Sequence, residues 1–236
     1  MAACLSIVIP AYNEARTLPQ LLDRVRDVQL TGGLTKEILV VDDASTDDTE
    51  AVVHDYLMAY PELPLHYLRH PLNRGKGAAL HTGIARATGD YLIIQDADLE
   101  YDPEEYNELL DPMLRGVADV VYGSRFQGSK PHRILFFWHT IGNKFLTLLS
   151  NAFNNLNLTD METCYKLFRT ELLQSLDLRE QRFGFEPEVT AKMSRVPGVR
   201  IYEVGISYFG RTYAEGKKIG WRDGVRAIYC IVKYGT

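Results

Sequence analysis

The stretch Tyr91-Leu92-Ile93-Ile94-Gln95-Asp96-Ala97-Asp98 joins an apolar run directly to a pair of carboxylates. The apolar run predicts a buried strand. Because the backbone turns where a strand ends, Asp96 and Asp98 are able to converge on one divalent ion, which would keep coordination positions for phosphate oxygens. The pair alone is weak evidence, since acidic residues at strand ends also cap helices. Its meaning depends on the sequence around it.

The first half of the chain alternates strand and helix patterns. Strands are expected at 5–9, 37–41, 65–68, 91–95 and 119–123, and helices near 18–25, 52–57, 78–88 and 103–115. This alternation predicts an α/β fold, with a Rossmann-like, mainly parallel sheet flanked by helices. In such sheets ligands bind beyond the carboxyl ends of the strands. Three polar segments follow such ends, at 10–14, 42–43 and 96–98, and together they predict one binding crevice.

The second half loses this alternation. Helices are expected at 136–153, 186–194 and 221–233, a strand at 200–207, and the segment 159–169 has no assigned element. The first and last of these helices carry apolar, aromatic and basic residues together. Core packing explains this pattern, and so does an interfacial surface that touches lipid. The sequence leaves both explanations open.

Composition narrows the class of protein. Of the 236 residues, 46% are hydrophobic and 24% are charged, which is typical of a globular chain. No apolar run is long enough for a membrane-spanning helix, and the start does not have the pattern of a signal peptide. The three cysteines, at positions 4, 164 and 230, are far apart in the sequence, which favours reduced thiols in the cytoplasm.

Charge divides the chain into two halves. Residues 1–124 contain 9 Lys/Arg and 21 Asp/Glu, whereas residues 125–236 contain 17 Lys/Arg and 10 Asp/Glu. The division suits an acidic, metal-binding half beside a basic half that receives anionic groups. Nucleic acid is not the expected partner, because no compact basic stretch with interleaved aromatic residues occurs.

Five motifs, taken in order, resemble the family 2 glycosyltransferases of GT-A fold over essentially the whole chain. They are I-V-I-P-A-Y-N-E (7–14), V-D-D-A-S-T-D (41–47), N-R-G-K-G-A-A (73–79), G-D-Y-L-I-I-Q-D-A-D-L-E (89–100) and G-S-R (123–125). Two later segments, 159–169 and 209–221, are similar to the dolichyl-phosphate mannose synthase and polyprenyl-phosphate glycosyltransferase branch.

The resemblance implies a nucleotide-sugar donor of the UDP-glucose or GDP-mannose type. Asp42 would recognise the nucleoside, Asp96 would help to hold the base or ribose, and Tyr12 is placed to cover them. Gly75-Lys76-Gly77 is too short for a P-loop, so Lys76 either approaches the nucleotide or is a solvated lysine. The residues expected to bind the nucleotide sugar are Pro10, Ala11, Tyr12, Glu14, Asp42, Lys76, Asp96, Ala97 and Asp98.

The same resemblance implies a metal and a set of catalytic groups. Asp98 would be the direct ligand of Mg²⁺ or Mn²⁺, and Glu100 would be a second ligand. Arg125 would stabilise the charge that builds on the β-phosphate. Asp160 would orient the acceptor or Arg125, or act as a base toward a hydroxyl acceptor. Its competing interpretation is a buried structural aspartate.

A lipid phosphate acceptor is anionic near pH 7 and needs cationic positioning more than a strong base. The loop from 211 to 218 is expected to close over the donor phosphates, and Glu186 would contact the sugar, contact a basic side chain or cap a helix. The residues expected to bind the acceptor are Arg125, Lys166, Arg169, Arg211, Lys217 and Lys218.

The combined prediction is one glycosyltransferase domain over residues 1–236, with a nucleotide-sugar and metal half (1–124) and an acceptor half (125–236). The enzyme would be an inverting hexosyltransferase with a polyprenyl phosphate acceptor. It would lie on the cytoplasmic membrane face through its amphipathic helices or a membrane-protein partner. A soluble glycan or hydroxyl acceptor is the alternative, and a sugar-nucleotide sensor without turnover is a second. A nucleotidyltransferase is disfavoured, because no Gly-rich triphosphate loop follows the first strand.

Overall fold

The computed structural model describes residues 2–134, 136–212 and 220–235, and within these ranges the chain forms seven strands and eight α-helices. The strands are β1 (Cys4–Ala11), β2 (Thr35–Asp42), β3 (Leu65–Arg69), β4 (Tyr91–Ile94), β5 (Val120–Ser124), β6 (Lys166–Arg169) and β7 (Ile201–Gly205). The helices are α1 (Leu18–Asp27), α2 (Thr49–Ala59), α3 (Lys76–Arg86), α4 (Tyr106–Leu114), α5 (Phe137–Asn154), α6 (Thr170–Gln174), α7 (Phe185–Ser194) and α8 (Trp221–Gly235). Short 3-10 helices at Thr31–Gly33 and Pro103–Glu105 precede β2 and α4.

The strands form one seven-stranded sheet in the order β3-β2-β1-β4-β6-β5-β7. Neighbouring strands are parallel except at β6, which runs antiparallel to both β4 and β5. The predicted α/β fold with a mainly parallel sheet is therefore confirmed. The departure from a fully parallel sheet is one short strand inserted near its centre.

Side chains that alternate along the strands build a hydrophobic core on each face of the sheet. On β1, Leu5, Ile7 and Ile9 pack with α1, α2 and α4 on one face. Val8 points to the other face, where α3, α6, α7 and α8 pack. Because both faces are covered, the strands read as nearly continuous apolar runs in the sequence.

The predicted strands are all present, with ends shifted by one or two residues. Helix α3 begins earlier than expected, at Lys76, directly after Gly75 with its φ of 97°. Strand β6 was not predicted, because a run of four residues with a lysine and an arginine at its ends does not read as a buried strand. Its antiparallel direction brings the residues before Lys166 to the carboxyl end of β5.

Helices α5 and α8 pack against each other over the second core. Among the side chains of α8 that the structure describes, Ala227, Cys230 and Ile231 are buried. None of the helices in the described ranges combines the length and the hydropathy that crossing a bilayer requires.

Candidate active site

The site edge of the sheet is built first by the ends of β1 and β2. Pro10 and Ala11 close β1, and Ala11 pairs with Asp42 at the end of β2. Asp42 is fully buried: its Oδ1 accepts a hydrogen bond from the backbone N–H of Ser45 (2.8 Å), and its Oδ2 accepts one from the Tyr67 hydroxyl (2.7 Å). Nucleoside recognition by Asp42 stays a prediction.

The loop after β1 is fixed to the loop after β2. Asn13, with a φ of 54°, donates its backbone N–H to Ser45 Oγ (2.9 Å) and accepts from the backbone N–H of Thr46 (2.8 Å). The side chain of Tyr12 is 37% exposed at this edge, whereas Glu14 is buried. The two polar loops thus form one rigid wall of the crevice.

Asp43 anchors the turn that leads into α3. Its Oδ2 accepts a hydrogen bond from the backbone N–H of Gly75 (2.6 Å), and its Oδ1 lies 2.7 Å from His70 Nδ1. Capping near the start of α2 is supplied by Asp47, whose Oδ1 accepts from the backbone N–H of Thr49 (3.1 Å). Asp43 therefore positions α3, and with it Lys76.

Lys76 points into the crevice and is not the solvated lysine of the alternative interpretation. Its Nζ lies 2.6 Å from Asp96 Oδ1, 2.8 Å from Cys164 Sγ and 3.7 Å from Glu186 Oε1. Burial disfavours the charged ammonium, but Asp96, Cys164 and Glu186 together more than offset this and raise the pKa of Lys76 well above its usual value. Lys76 and Asp96 thus form a buried, charged pair.

The glycines beside Lys76 serve backbone packing. A Cβ added at Gly75 would lie 2.6 Å from the carbonyl oxygen of Gln181, and one at Gly77 would lie 2.2 Å from that of Glu180. The segment before α7 therefore presses directly against the start of α3. Close contact between two backbones, and not a phosphate-binding loop, explains the Gly75-Lys76-Gly77 sequence.

Asp98, Glu100 and Glu14 surround the guanidinium of Arg211. Arg211 Nη2 donates to Asp98 Oδ2 (2.8 Å), Nη1 lies 3.7 Å from Glu14 Oε2, and Nε lies 3.7 Å from Glu100 Oε1. The backbone N–H of Arg211 also donates to Glu100 Oε1 (2.7 Å). Tyr208 donates its hydroxyl to Glu100 Oε2 (2.8 Å). The predicted metal ligands and a predicted phosphate-binding arginine therefore meet.

The carboxyl groups of Asp98, Glu100 and Glu14 lie close together, so a positive charge among them stabilises their ionised forms. Burial raises the pKa of Asp98 to about 7, and the negative charges of Asp96 and Glu100 add to the effect. Their hard oxygens suit a divalent cation. Within the described ranges, however, no group of three or more acidic, histidine or cysteine side chains has the arrangement of a formed metal site. Arg211 supplies the positive charge in this conformation.

Arg125 and Asp160 form a bidentate ion pair beside this cluster. Arg125 Nε and Nη2 donate to the two carboxylate oxygens of Asp160, each at 2.7 Å, and its backbone N–H donates at 3.0 Å. Asp160 is fully buried, and Glu203 accepts a hydrogen bond from its backbone N–H (3.0 Å). The guanidinium of Arg125 stacks 5.2 Å from the ring centre of Tyr208. The structure thus places Asp160 in direct contact with Arg125, and the predicted role of Asp160 in orienting Arg125 stays a prediction.

Two predicted acceptor residues do not join the site. Lys166 is fully buried, and its Nζ donates to the carbonyl oxygens of Met161 and Thr163. Arg169 pairs with the first residue of β4 at the opposite edge of the sheet, and its Nε donates to Asp119 (3.0 Å). The direction of β6 corrects the prediction for Arg169, and the two backbone carbonyls that take up Nζ correct the prediction for Lys166. The remaining two, Lys217 and Lys218, lie outside the described residues.

Four residues of the candidate site were not predicted from the sequence: Glu162, Cys164, Glu203 and Tyr208. Glu162 and Cys164 belong to the 159–169 segment, whose position near the site depends on the unpredicted antiparallel strand. Glu203 and Tyr208 come from β7 and the residues just after it, and neither has a motif of its own. A signal existed for the first two in the polar run before β6.

Comparison with known proteins identifies the family. Residues 6–177 match the model of glycosyl transferase family 2. The chain is 31% identical over 217 residues to a dolichyl-phosphate beta-glucosyltransferase from Trichomonas vaginalis, covering 86% of this chain and 65% of that protein. It is also 31% identical over 239 residues to an undecaprenyl-phosphate mannosyltransferase from Micrococcus luteus, covering 97% of this chain and 92% of that protein.

A solved structure shares the fold. Glucosyl-3-phosphoglycerate synthase from Mycobacterium tuberculosis, in complex with Mn²⁺, UDP and phosphoglyceric acid, superposes with a TM-score of 0.74 at 22% identity. The match covers 99% of this chain and 78% of that one. The motifs at the strand ends, the family match and this architecture agree, and the chain belongs to glycosyl transferase family 2 and has the GT-A fold.

Proposed function

We propose that the protein is an inverting hexosyltransferase that moves a hexose from a nucleotide sugar to a polyprenyl or dolichyl phosphate. The observation that carries the proposal is the meeting, at one sheet edge, of the carboxylate cluster around Arg211 with the Arg125–Asp160 pair. The first arrangement suits a cation and a diphosphate, and the second suits an anionic acceptor. The named activities of the Trichomonas and Micrococcus relatives support the same reaction.

The donor would bind against the loops after β1, β2 and β4. Asp98 and Glu100 would hold Mg²⁺ or Mn²⁺, which supplies positive charge for the leaving β-phosphate. The Mn²⁺ and UDP of the Mycobacterium structure support a divalent cation in this fold. Arg211, released from Asp98 on donor binding, would contact the phosphates, because a guanidinium forms strong paired hydrogen bonds with phosphate oxygens.

The acceptor phosphate would bind at Arg125. Two N–H groups of its guanidinium are used by Asp160, and the others remain to bind a phosphate oxygen. Because a phosphate nucleophile is already anionic near pH 7, positioning matters more than proton removal. Asp160 would therefore act by holding Arg125 and not as a base.

An exposed apolar surface on α5 and α8 would bring the protein to its lipid substrate. Trp138 is 77% exposed and Leu148 67% exposed on α5, and Tyr229 is 51% exposed on the adjoining α8. Apolar and aromatic side chains on amphipathic helices insert into the interfacial layer of a bilayer. We infer a peripheral position on the cytoplasmic membrane face, which the three free cysteines also suit.

The experiment is a transfer assay with Mg²⁺ or Mn²⁺ and labelled UDP-glucose or GDP-mannose, with and without a polyprenyl phosphate. Label should enter the lipid phase with one donor, and Asp98→Ala should abolish this transfer. Asp111→Asn, which removes a carboxylate from an exposed ion pair on α4, is the matched control and should transfer normally. Transfer to a soluble acceptor alone would overturn the lipid proposal, and donor binding without any turnover would indicate a sensor.

Membrane attachment has its own test. Replacing Trp138 and Leu148 together by Asn should release the protein from phosphatidylglycerol vesicles in a sedimentation assay. Met58→Asn is the control. Met58 is 81% exposed on α2, and this helix packs on the opposite face of the sheet from α5 and α8. Unchanged sedimentation of the double variant would contradict the assignment of this surface.

A further inference from the structure

Two glutamates adjoin the Lys76–Asp96 pair and the Arg125–Asp160 pair. Glu186, in the first turn of α7, is 4% exposed, and its Oε1 lies 3.7 Å from Lys76 Nζ. Glu162 stands two residues after Asp160, close enough for its charge to interact with those of Glu186 and Arg125. One glutamate thus adjoins the Lys76–Asp96 pair, and the other adjoins the acceptor pair.

Each glutamate keeps one oxygen without a hydrogen-bond partner. Glu162 Oε1 and Glu186 Oε2 are buried and accept no hydrogen bond from the residues that the structure describes. The cations nearby are already engaged, because Lys76 binds Asp96 and Lys166 binds backbone carbonyls. A buried polar atom without a hydrogen-bond partner is energetically unfavourable, so hydrogen-bond donors from a ligand would be strongly favoured there.

The two glutamates also make this region intolerant of further negative charge. Burial and the neighbouring charge of Glu186 raise the pKa of Glu162 to about 8. A sugar hydroxyl can donate a hydrogen bond to either carboxyl group. A sugar carboxylate cannot donate, and it would place its negative charge beside that of Glu186 in a region of low dielectric constant.

The transferred sugar has to lie between the leaving diphosphate and the attacking phosphate; Glu186 adjoins the Lys76–Asp96 pair on the nucleotide side, and Glu162 adjoins Arg125 on the acceptor side. We propose that this glutamate pair binds hydroxyl groups of the donor sugar and selects neutral hexosyl donors over hexuronosyl donors. The inference rests on the proposed transfer reaction, and it names a class of sugar that the reaction accepts. Neither glutamate moves a proton or forms a bond in this proposal; the pair determines specificity.

The test compares matched donors by calorimetric titration. UDP and GDP alone identify the nucleotide, and the protein is then titrated with UDP-glucose against UDP-glucuronate, or with GDP-mannose against GDP-mannuronate. The wild type should bind the neutral donor at least about tenfold more tightly, as expected when hydrogen bonds to charged groups are lost. Glu186→Gln and Glu162→Gln should each reduce this ratio to about threefold or less, by the same reasoning.

Affinity for the nucleotide without sugar separates a direct role from a structural one. It should stay unchanged in both glutamine variants, since only the sugar contact is altered. Glu171→Gln, at an exposed position on α6, is the control and should keep the wild-type ratio. If a variant does not fold, equal or tighter binding of the uronate donor by the wild type would still overturn the proposal.

The outcomes distinguish this inference from the proposed function. Equal or tighter binding of the uronate donor by the wild type would overturn the glutamate assignment and leave the transferase proposal intact. An unchanged ratio in both folded variants would also overturn it. Failure of the wild type to bind any of the nucleotides or donors would overturn both.

Discussion

At the scale of single residues, Asp160 is held on two sides. Its carboxylate accepts three hydrogen bonds from Arg125, and Glu203 fixes its backbone. Burial disfavours the charge on Arg125, but Asp160 more than offsets this and raises the pKa of the guanidinium well above its usual value. Arg125 is therefore held as a guanidinium cation in a fixed orientation.

Asp160→Asn should lower the rate of transfer about 10- to 100-fold, because an uncharged amide holds the guanidinium weakly and turns N–H groups toward it. The measurement is kcat at saturating donor, normalised to folded protein by thermal unfolding. Donor affinity should change by less than about threefold, since the substitution affects positioning of the acceptor. A wild-type kcat would show that Arg125 does not depend on Asp160.

Gly77→Ala should destabilise the protein and misplace Lys76. The new Cβ would lie 2.2 Å from the carbonyl oxygen of Glu180, and a backbone atom there has little freedom to move. The expected loss is about 1–3 kcal/mol of unfolding free energy, as for other overpacked sites. Thermal and urea unfolding would measure it.

Gly142→Ala is the matched control for that substitution. Gly142 lies in α5 and has open space around its Cβ position. Alanine should therefore be neutral or stabilise the helix by up to about 1 kcal/mol. If both variants unfolded alike, steric contact at Gly77 would not be the reason for the glycine.

The sequence indicated individual residues well where they follow a strand and poorly where they arrive from far away. Asp96 and Asp98 are located by the apolar run before them. Arg211 lies 113 residues from Asp98, and nothing in the local pattern fixes their hydrogen bond. Lys166 was misjudged because a buried lysine on two backbone carbonyls looks like any other basic residue in a sequence.

At the scale of elements, α8 is attached to the segment before α7 by one buried carboxylate. Glu180 accepts hydrogen bonds from Arg226 (2.7 Å), Lys233 (3.2 Å) and the hydroxyl of Tyr234 (2.9 Å). Burial opposes ionisation of Glu180, but these hydrogen bonds outweigh it and lower the pKa of Glu180 to about 2. The backbone of the same segment packs against the start of α3, so α8 is linked to the site through it.

Glu180→Gln should make the protein less stable by about 1–3 kcal/mol at pH 7, since a buried carboxylate with several donors is lost. The pKa of Glu180 is lower in the folded chain than its usual value near 4.5, so its contribution is complete above that pH. The contribution disappears as the pH falls from about 4.5 toward 2. Urea unfolding of both proteins across this range should give converging curves; a constant difference would contradict the assignment.

The strands of the first half were predictable because burial on both faces makes them apolar throughout. Strand β6 was not predicted because it is short and has a charged residue at each end. One of these charges is paired only in the folded chain, which a local sequence pattern does not show. Helices α5 and α8 were predicted as elements. Their exposed apolar surface was one of two explanations that the sequence left open, since a single chain does not show which face of a helix finds a partner.

At the scale of the whole molecule, the acidic and basic halves share one sheet. Strand β6, from the second half, pairs with β4 from the first half and with β5 at the junction between them. The core on each face therefore contains residues from both halves. The division into 1–124 and 125–236 describes charge and ligands, and it does not separate two hydrophobic cores.

The chain should therefore unfold as one cooperative unit. Scanning calorimetry should give one transition whose calorimetric and van't Hoff enthalpies agree. A fragment of residues 1–124 should lack native stability, because it leaves one side of β4 without its partner strand. Two separate transitions would contradict the prediction of a single domain over residues 1–236.

The contact between Arg211 and the carboxylates has a consequence for how ligands bind. A cation that takes Asp98 has to displace a guanidinium, so binding to the empty protein is an exchange of one positive charge for another. A nucleoside diphosphate gives the displaced guanidinium a new partner, and the cation then meets less competition. In the proposed reaction, cation and nucleotide would therefore be thermodynamically coupled, and each would raise the affinity of the protein for the other by the same factor. The protein without ligands carries its own counter-ion, Arg211, and would give it up most readily when both ligands arrive together.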